Sequence, residues 1–426
     1  MTLSSDIEAS DEKSEHSRNL VKTLVSLFWM YGGRGIGMLW TLALIAKLSV
    51  GEYGLYAMGF ALMSIFGPAL NNPFAVRSVR ESEDRFLAER TTRYLLGVVL
   101  LVIGQAFLPF TGHHVMYIPW MALTVAGGEL VMKAYLAEAT RAGHPDRTWR
   151  MDTIRQASGV AIACIYLFTT EHPTLLVASM LYCAPYLVMI VITGFVVWGH
   201  RPRFPGPPKI AAALAGEIAA MALYLQGDVL LLGWITNKDI VGYYALAMTV
   251  TTALATIGQS YSGTFVQALR EKNGDLSAGP PLRNTLIIAA VMAGLVFITG
   301  VVLLLSPAPT QVALAMLIMS GYCGFRTIIM VFQTILYAQR RDIMRLTANV
   351  ALVPVKFALV LLLAGLLHWG APGAAIATTL TDAVLLAIYT YALYFSPRAH
   401  HEPPPENPDN EDAADAGVKP EREDAQ

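Results

Sequence analysis

A short stretch rich in glycine and tyrosine occurs twice in this chain and restricts it to a fold made of two related halves. The first copy reads Gly-Glu-Tyr-Gly-Leu-Tyr-Ala-Met at residues 51–58, and the second reads Asp-Ile-Val-Gly-Tyr-Tyr-Ala-Leu at residues 239–246. Gly54 therefore corresponds to Gly242, and a long apolar segment precedes and follows each copy. Because an internal repeat is the signature of a repeated architecture, we predict two halves with the same arrangement of elements.

The composition places both halves in a membrane. Hydrophobic residues make up 55% of the chain and charged residues 14%, whereas a soluble domain carries about 25% charged residues. Both ends of the chain lack the apolar residues needed to offset the entropy of ordering, and we predict that they are disordered. The predicted organisation is a cytoplasmic tail (1–19), an N-terminal half (20–200), a cytoplasmic linker (201–209), a C-terminal half (210–396) and an acidic cytoplasmic tail (397–426).

The apolar segments predict the number of membrane spans. A helix needs about 20 apolar residues to cross the hydrocarbon core. Segments of this kind predict an all-α integral membrane protein with about 12 transmembrane helices, in two parallel six-helix repeats around a central cavity. The predicted spans are 20–46, 53–76, 93–112, 115–139, 153–170, 174–198, 210–235, 241–265, 285–306, 310–337, 347–368 and 371–395.

Lysine and arginine in the short loops predict the orientation, because these residues accumulate on the cytoplasmic side. Alternate loops, around residues 77–93, 141–150, 201–209, 270–283 and 340–345, hold nearly all of them. The opposite loops hold only Lys47 and Lys238. We therefore predict a multi-pass protein of the inner (cytoplasmic) membrane with both termini in the cytoplasm. Since each half begins on the same side, the repeats are parallel.

Ionisable residues inside spans are costly and usually face the bundle interior or a wet cavity. A cationic cavity indicates an anionic substrate group, because Arg and Lys suit phosphate oxygens. The same charges could instead pair with one another and only stabilise the bundle. The candidates for binding substrate phosphate are Arg34, Lys133, Arg326 and Lys356. The acidic candidates for ion coupling or charge balance are Glu129, Glu217, Asp228 and Asp382. The candidates for sugar contacts are Asn71, Tyr224, Gln259, Tyr322 and Gln333.

Five motifs together resemble the polysaccharide transporters of the MOP superfamily, the Wzx-type O-antigen flippases and their relatives. They are the stretch at 51–57, Gly-Asp-Val-Leu-Leu-Leu-Gly at 227–233, Val-Gly-Tyr-Tyr-Ala-Leu-Ala at 241–247, the basic link 141–155, and the small residues 370–377 followed by Asp382. The resemblance implies a flippase that moves a polyprenyl-phosphate- or diphosphate-linked sugar or oligosaccharide to the outer leaflet by alternating access, for cell-surface polysaccharide assembly. It implies no catalytic residue, metal or cofactor.

Two other classes of function stay open at this point. One is a MATE-type ion-coupled exporter of small molecules, which also has twelve spans. A cavity dominated by acidic residues would favour this class, whereas the Arg and Lys residues within the spans count against it. A membrane scaffold or an enzyme of glycan assembly is the second alternative, although the outward loops are too short to build a catalytic site. The expected partners are the lipid-linked glycan, membrane lipids, glycan-assembly enzymes and a coupling H⁺ or Na⁺, and no nucleic acid.

Overall fold

The computed structural model describes residue 25 and residues 28–78, 81–142, 144–272 and 274–396. Both predicted tails, 1–19 and 397–426, lie outside these ranges, as does the beginning of the first predicted span. All regular secondary structure in the described ranges is helical. The helices are α1 (28–47), α2 (Val50–Ser78), α3 (Glu83–Ala106), α4 (His114–Arg141), α5 (Pro145–Thr169), α6 (Leu175–Cys183), α7 (Pro185–Val197), α8 (Pro208–Ile235), α9 (Lys238–Gly263), α10 (Val266–Glu271), α11 (Leu282–Leu305), α12 (Thr310–Ala338), α13 (Asp342–Val360) and α14 (Gly370–Tyr394).

Ten helical segments in these ranges are long and apolar enough to cross a membrane. One of them combines α6 and α7, which are separated at Pro185 because proline lacks the amide hydrogen that would continue the helix. Another combines α13 with the π-helical turn Leu361–Leu366. The two remaining predicted spans correspond to α1 and to α5, whose first half is charged. The all-helical membrane fold predicted from the sequence is confirmed, with twelve as an approximate count.

The outer surface of the bundle is apolar, as contact with lipid requires. On α11, the side chains of Leu295, Ile298, Val302 and Leu305 are exposed and follow one another at intervals of three or four residues. This spacing places them on one face of the helix. A large exposed apolar face of this kind marks a membrane or protein contact, and here it belongs to a helix of membrane-spanning length.

The buried apolar side chains form clusters that mostly stay within one half. Trp40, Trp120 and Tyr186 belong to a cluster built almost entirely from α1 to α6 and the start of α7. Tyr322 and Val360 belong to a cluster built mainly from α8 to α14. Each half therefore has its own packed interior, and the surface between the halves is left for other contacts.

The two copies of the repeated stretch touch each other at one end of the bundle. At Gly54, the backbone of α2 lies against α9 so closely that a methyl group on this residue would overlap the carbonyl oxygen of Lys238. A methyl group on Gly242 would likewise overlap the carbonyl oxygen of Val50. Beside this contact, the Lys238 ammonium lies 2.6 Å from the Glu52 carboxylate. We call this arrangement the glycine crossing; it closes the end of the bundle that the loop charges predict to face away from the cytoplasm.

Replacement of Gly54 by alanine should push α2 and α9 apart, because the added methyl group meets backbone atoms that cannot move aside. Overpacking of this kind costs about 1–3 kcal/mol. Gly294→Ala in α11 is the matched control, since a methyl group there meets no atom within 4 Å. We expect less Gly54→Ala than Gly294→Ala protein to stay monodisperse in detergent after heating. Equal resistance of the two variants would contradict the close contact.

Candidate functional site

A cavity of about 380 Å³ lies between the two halves, next to the glycine crossing. Helices α1, α2, α5 and α6 wall it on one side, and α8 and α9 wall it on the other. Tyr53 and Thr249 line its end nearest the crossing, where their hydroxyl groups are 3.0 Å apart. Thr256, also in the wall, lies about 10 Å further along α9, at 1.5 Å per residue. We call this space the central cavity.

The N-terminal wall of the central cavity is aromatic. The rings of Trp40 and Tyr182 stack with their centroids 5.4 Å apart, and Tyr56 packs edge-on against both. Tyrosine offers an apolar ring together with a polar hydroxyl, and the facing side of α9 adds the hydroxyl groups of Thr249 and Thr252. The cavity can therefore contact both the ring faces and the hydroxyl groups of a polar ligand.

Arg34 is the basic residue in the described wall of the central cavity. Its guanidinium donates to the Thr256 hydroxyl and lies over the Tyr31 ring, 5.4 Å from the centroid. The Tyr31 hydroxyl in turn contacts Ser260. No Asp or Glu among the described residues lines this cavity or pairs with Arg34. Arg34 thus presents a partly buried positive charge that no described carboxylate neutralises.

The glycines around Arg34 allow α1 to lie close to α5. A methyl group on Gly33 would come within 3.1 Å of the Thr153 hydroxyl, and one on Gly37 within 3.0 Å of the Gln156 amide. Thr153 also donates to the backbone carbonyl of Trp29 at 2.7 Å. Small residues one turn apart permit this kind of close packing in membranes. The packing holds α1 so that Arg34 reaches the cavity.

The C-terminal half contains a buried ion pair that lies outside the central cavity. Lys356 Nζ lies 2.6 Å from Asp228 Oδ2, and the two side chains are 2% and 0% exposed. The hydroxyls of Tyr244 and Thr378 donate to the same carboxylate, the latter at 3.0 Å. From the sequence, Lys356 is a candidate for binding substrate phosphate, and Asp228 is a candidate for ion coupling or charge balance. In the structure, the two side chains form an ion pair with each other. A buried, fully hydrogen-bonded pair fixes the relative positions of α8, α9, α13 and α14.

A second pair in the same half is less complete. Arg326 lies 3.6 Å from Asp382, and Tyr224 donates to the other oxygen of that carboxylate at 2.6 Å. The backbone carbonyl of Tyr224 accepts a hydrogen bond of 2.9 Å from Lys356, so this tyrosine connects the two pairs. Arg326 also borders a separate cavity together with Gln259 and other side chains of the C-terminal half.

A cluster of paired charges lies on α4 and α5 in the N-terminal half. Glu129 and Lys133, one turn apart on α4, have their charged atoms 3.9 Å apart, as their spacing predicts. The same Glu129 carboxylate lies 3.4 Å from Arg155 and accepts a 2.7 Å hydrogen bond from Tyr186. Arg155 also contacts Asp152 at 3.1 Å. Arg155 was not among the site candidates chosen from the sequence. The one feature that could have pointed to it is its place at the end of the basic link 141–155.

The other nominated residues are spread over several environments. Asn71 accepts a hydrogen bond from Arg93. Glu217 is exposed, and Tyr322 is buried with its hydroxyl 3.5 Å from Thr252. Gln333 borders the cavity that contains Arg326. The structure therefore brings Gln259, Arg326 and Gln333 together, places Arg34 in the central cavity, and leaves the rest outside both described cavities.

Most of the central-cavity wall was not nominated from the sequence. Tyr56, Gln156 and Gln226 line it, and they lack the formal charge that made other residues stand out within a span. Tyr56 carried one usable signal, because it belongs to the repeated stretch. Its counterpart Tyr244 has a different position, buried against Asp228. The two tyrosines therefore hold equivalent positions in the repeat but different environments in the structure. Tyr56 lines the central cavity, and Tyr244 donates a buried hydrogen bond to Asp228.

Comparison with known proteins supports the architecture. No protein-family model matches the chain. A Haloferax volcanii protein named probable flippase AglR is 22% identical over 368 residues, covering 81% of this chain and 77% of that protein. The lipid II flippase MurJ in an inward closed conformation superposes with a TM-score of 0.67 at 11% identity, over 89% of this chain and 88% of its own. The eukaryotic MATE transporter AtDTX14 superposes with a TM-score of 0.59 at 12% identity, over 90% of this chain and 96% of its own. The chain therefore shares the fold of these solved transporters, in agreement with the fold expected from its motifs.

Proposed function

We propose that this protein is a flippase that carries a polyprenyl-phosphate- or diphosphate-linked sugar or oligosaccharide from the cytoplasmic to the outer leaflet, for assembly of cell-surface polysaccharide. The names of two similar proteins support the class, since one is a probable flippase and the other a lipid II flippase. The observation that carries the proposal is Arg34, a cation in the central cavity that no described carboxylate neutralises.

The chemistry of Arg34 fits the link between lipid and sugar. A guanidinium has a planar fork that matches two oxygens of a phosphate group. An uncompensated Arg facing lipid costs roughly 3 kcal/mol on insertion scales, so an exposed cation at this depth must have protein, water or an anionic ligand beside it. Thr256 and the Tyr31 ring provide partners that can remain when a phosphate binds. The aromatic and hydroxyl-bearing wall then lies beside the sugar.

Alternating access follows from the two halves, residues 20–200 and 210–396, with the linker 201–209 between them. Rocking of one parallel repeat against the other would open the central cavity first to one leaflet and then to the other. The glycine crossing would separate at each outward opening. The loop charges support an orientation in the inner membrane with both termini in the cytoplasm, so that this crossing is the outer closure.

The MATE-like alternative is not favoured by the cavity. MATE transporters share this fold, but a site for cationic drugs requires acidic residues in the wall. The described wall of the central cavity contains Arg34 and no carboxylate. The same wall offers no pairing of nucleophile and base, so a transporter explains it better than an enzyme or a scaffold of glycan assembly.

Acidic side chains within the spans are the groups that would bind a coupling H⁺ or Na⁺. Glu129 and Asp228 are held by cations, Asp382 is held by Arg326 and Tyr224, and Glu217 is exposed. A coupling ion at Glu129, Asp228 or Asp382 would have to replace a protein cation. The pairing of Asp228 with Lys356 is the most complete of them, and we therefore assign this pair to stability.

Arg34→Ala should leave the protein folded and reduce transport of a polyprenyl-diphosphate-linked sugar in proteoliposomes roughly ten- to hundredfold, because a charge-assisted hydrogen bond worth about 1.5–3 kcal/mol is lost. Arg34→Lys should retain part of the activity, since it keeps the charge but loses the fork. Thr256→Val keeps the charge of Arg34 and removes only its hydroxyl partner, so it should lose less transport than Arg34→Ala. A well-folded Arg34→Ala protein with wild-type transport would contradict the proposal.

Asp228→Asn should lower the yield of folded protein, because it leaves Lys356 buried without its counter-charge at a cost of about 3–5 kcal/mol. The double variant Asp228→Asn/Lys356→Met removes both charges and should recover most of the yield. Its transport rate and the pH dependence of that rate should match those of the wild type. A folded double variant that no longer transports would assign the pair to ion coupling instead of stability.

A further inference from the structure

A second cavity of about 340 Å³ lies wholly within the C-terminal half, between α8, α9, α12 and α13. Its described wall contains two arginines, Arg326 and Arg345, and no Asp or Glu. Neutral polar groups come from Gln259 and Gln333. We call this space the C-half cavity. Each of the two arginines pairs with an Asp outside the wall, Arg326 with Asp382 and Arg345 with Asp342, so the wall presents guanidinium groups and no carboxylate.

Arg326 has hydrogen-bonding capacity that the protein leaves unused. It is 6% exposed, and its Nε has no hydrogen-bond partner among the described residues. Its acidic neighbour Asp382 lies 3.6 Å away and its Oδ2 atom is also without a hydrogen bond. A buried donor without a partner costs about 1–3 kcal/mol. An anion in the C-half cavity would supply the missing acceptor.

Arg345, at the other end of the C-half cavity, also has a guanidinium nitrogen without a described hydrogen-bond partner. Its Nε is buried and has no described hydrogen-bond partner, although another nitrogen of the group donates to Asp342 at 2.8 Å. The guanidinium lies over the Tyr337 ring, 5.4 Å from its centroid. Tyr337 is 68% exposed, so this end is the mouth. Arg326 precedes Tyr337 by eleven positions on α12, which places it about 16 Å deeper.

The C-half cavity lies next to the central cavity along two shared helices. On α9, Thr256 borders the central cavity and Gln259, nearly one turn away, borders the C-half cavity. On α8, Val229 borders the central cavity and Leu225 borders the C-half cavity. A ligand bound to Arg34 through one anionic group can therefore extend into the C-half cavity with another part of the same molecule.

We propose that the C-half cavity binds a second anionic group, a carboxylate or phosphate carried by the sugar head of the substrate, with Arg345 at the mouth and Arg326 at the closed end. This inference rests on the proposed flippase function. It makes the protein selective for acidic saccharides over neutral ones with the same lipid and the same diphosphate link. Gln259 and Gln333 lie between the two cations and supply hydrogen bonds to the sugar.

The test compares two substrates in proteoliposomes, a polyprenyl-diphosphate disaccharide with a terminal uronic acid and its neutral counterpart with a terminal hexose. Arg345→Gln should reduce transport of the acidic substrate about tenfold, the equivalent of about 1.4 kcal/mol, and change transport of the neutral one less than twofold. Arg283→Gln removes an exposed arginine outside the cavity wall in the same way and should affect neither. Arg345→Gln is expected to fold, because its partner Asp342 is 55% exposed and can be solvated.

Arg326 needs a paired variant, since its removal alone would leave Asp382 buried without a cation. Arg326→Gln/Asp382→Asn keeps the site neutral and should show the same selective loss as Arg345→Gln. Equal losses for both substrates, or no loss for either with both variants, would overturn the second anion site. Failure of the wild type to transport either substrate would instead reject the flippase function on which the inference rests.

Discussion

The glycine crossing is the contact on which the arrangement of the two halves depends. Two helices can approach until backbone meets backbone only where both lack a side chain, and the repeat supplies a glycine at each position, Gly54 and Gly242. The Glu52–Lys238 pair lies beside this contact. Because the halves meet tightly at this end, the space further along α2 and α9 stays open and forms the central cavity.

The charges inside the bundle fall into two groups with different consequences. Pairs such as Asp228 with Lys356 and Glu129 with Arg155 are internal to one half. Breaking one of them would leave a buried charge without its partner, so they hold each half rigid as it moves. Arg34 differs, because the cavity gives it a hydroxyl and a ring but no carboxylate. Rigid halves with a cation between them that no described carboxylate neutralises fit the proposed transport of an anionic lipid.

The sequence predicted the fold well and the site in part, for physical reasons. Hydropathy predicted the helices, because it depends on residues close together in the chain, and the repeat supported the division into two halves. The spacing of Glu129 and Lys133 likewise predicted their pairing. The partner of Asp228 could not be predicted, since Lys356 is far away in the sequence and is brought near only by the packing of α8 against α13. Uncharged wall residues such as Gln156 were missed because nothing distinguishes them from other polar residues in a span.

The central claim is that the halves separate at the glycine crossing while the substrate crosses the membrane. It is tested most directly by cysteines at positions 52 and 238, in a protein whose native cysteines are replaced by alanine, joined by a short reducible thiol cross-linker. Transport of a polyprenyl-diphosphate-linked sugar in proteoliposomes should stop when the two positions are joined and resume after reduction. Unimpaired transport by the fully cross-linked protein would show that the crossing does not open and would contradict the account.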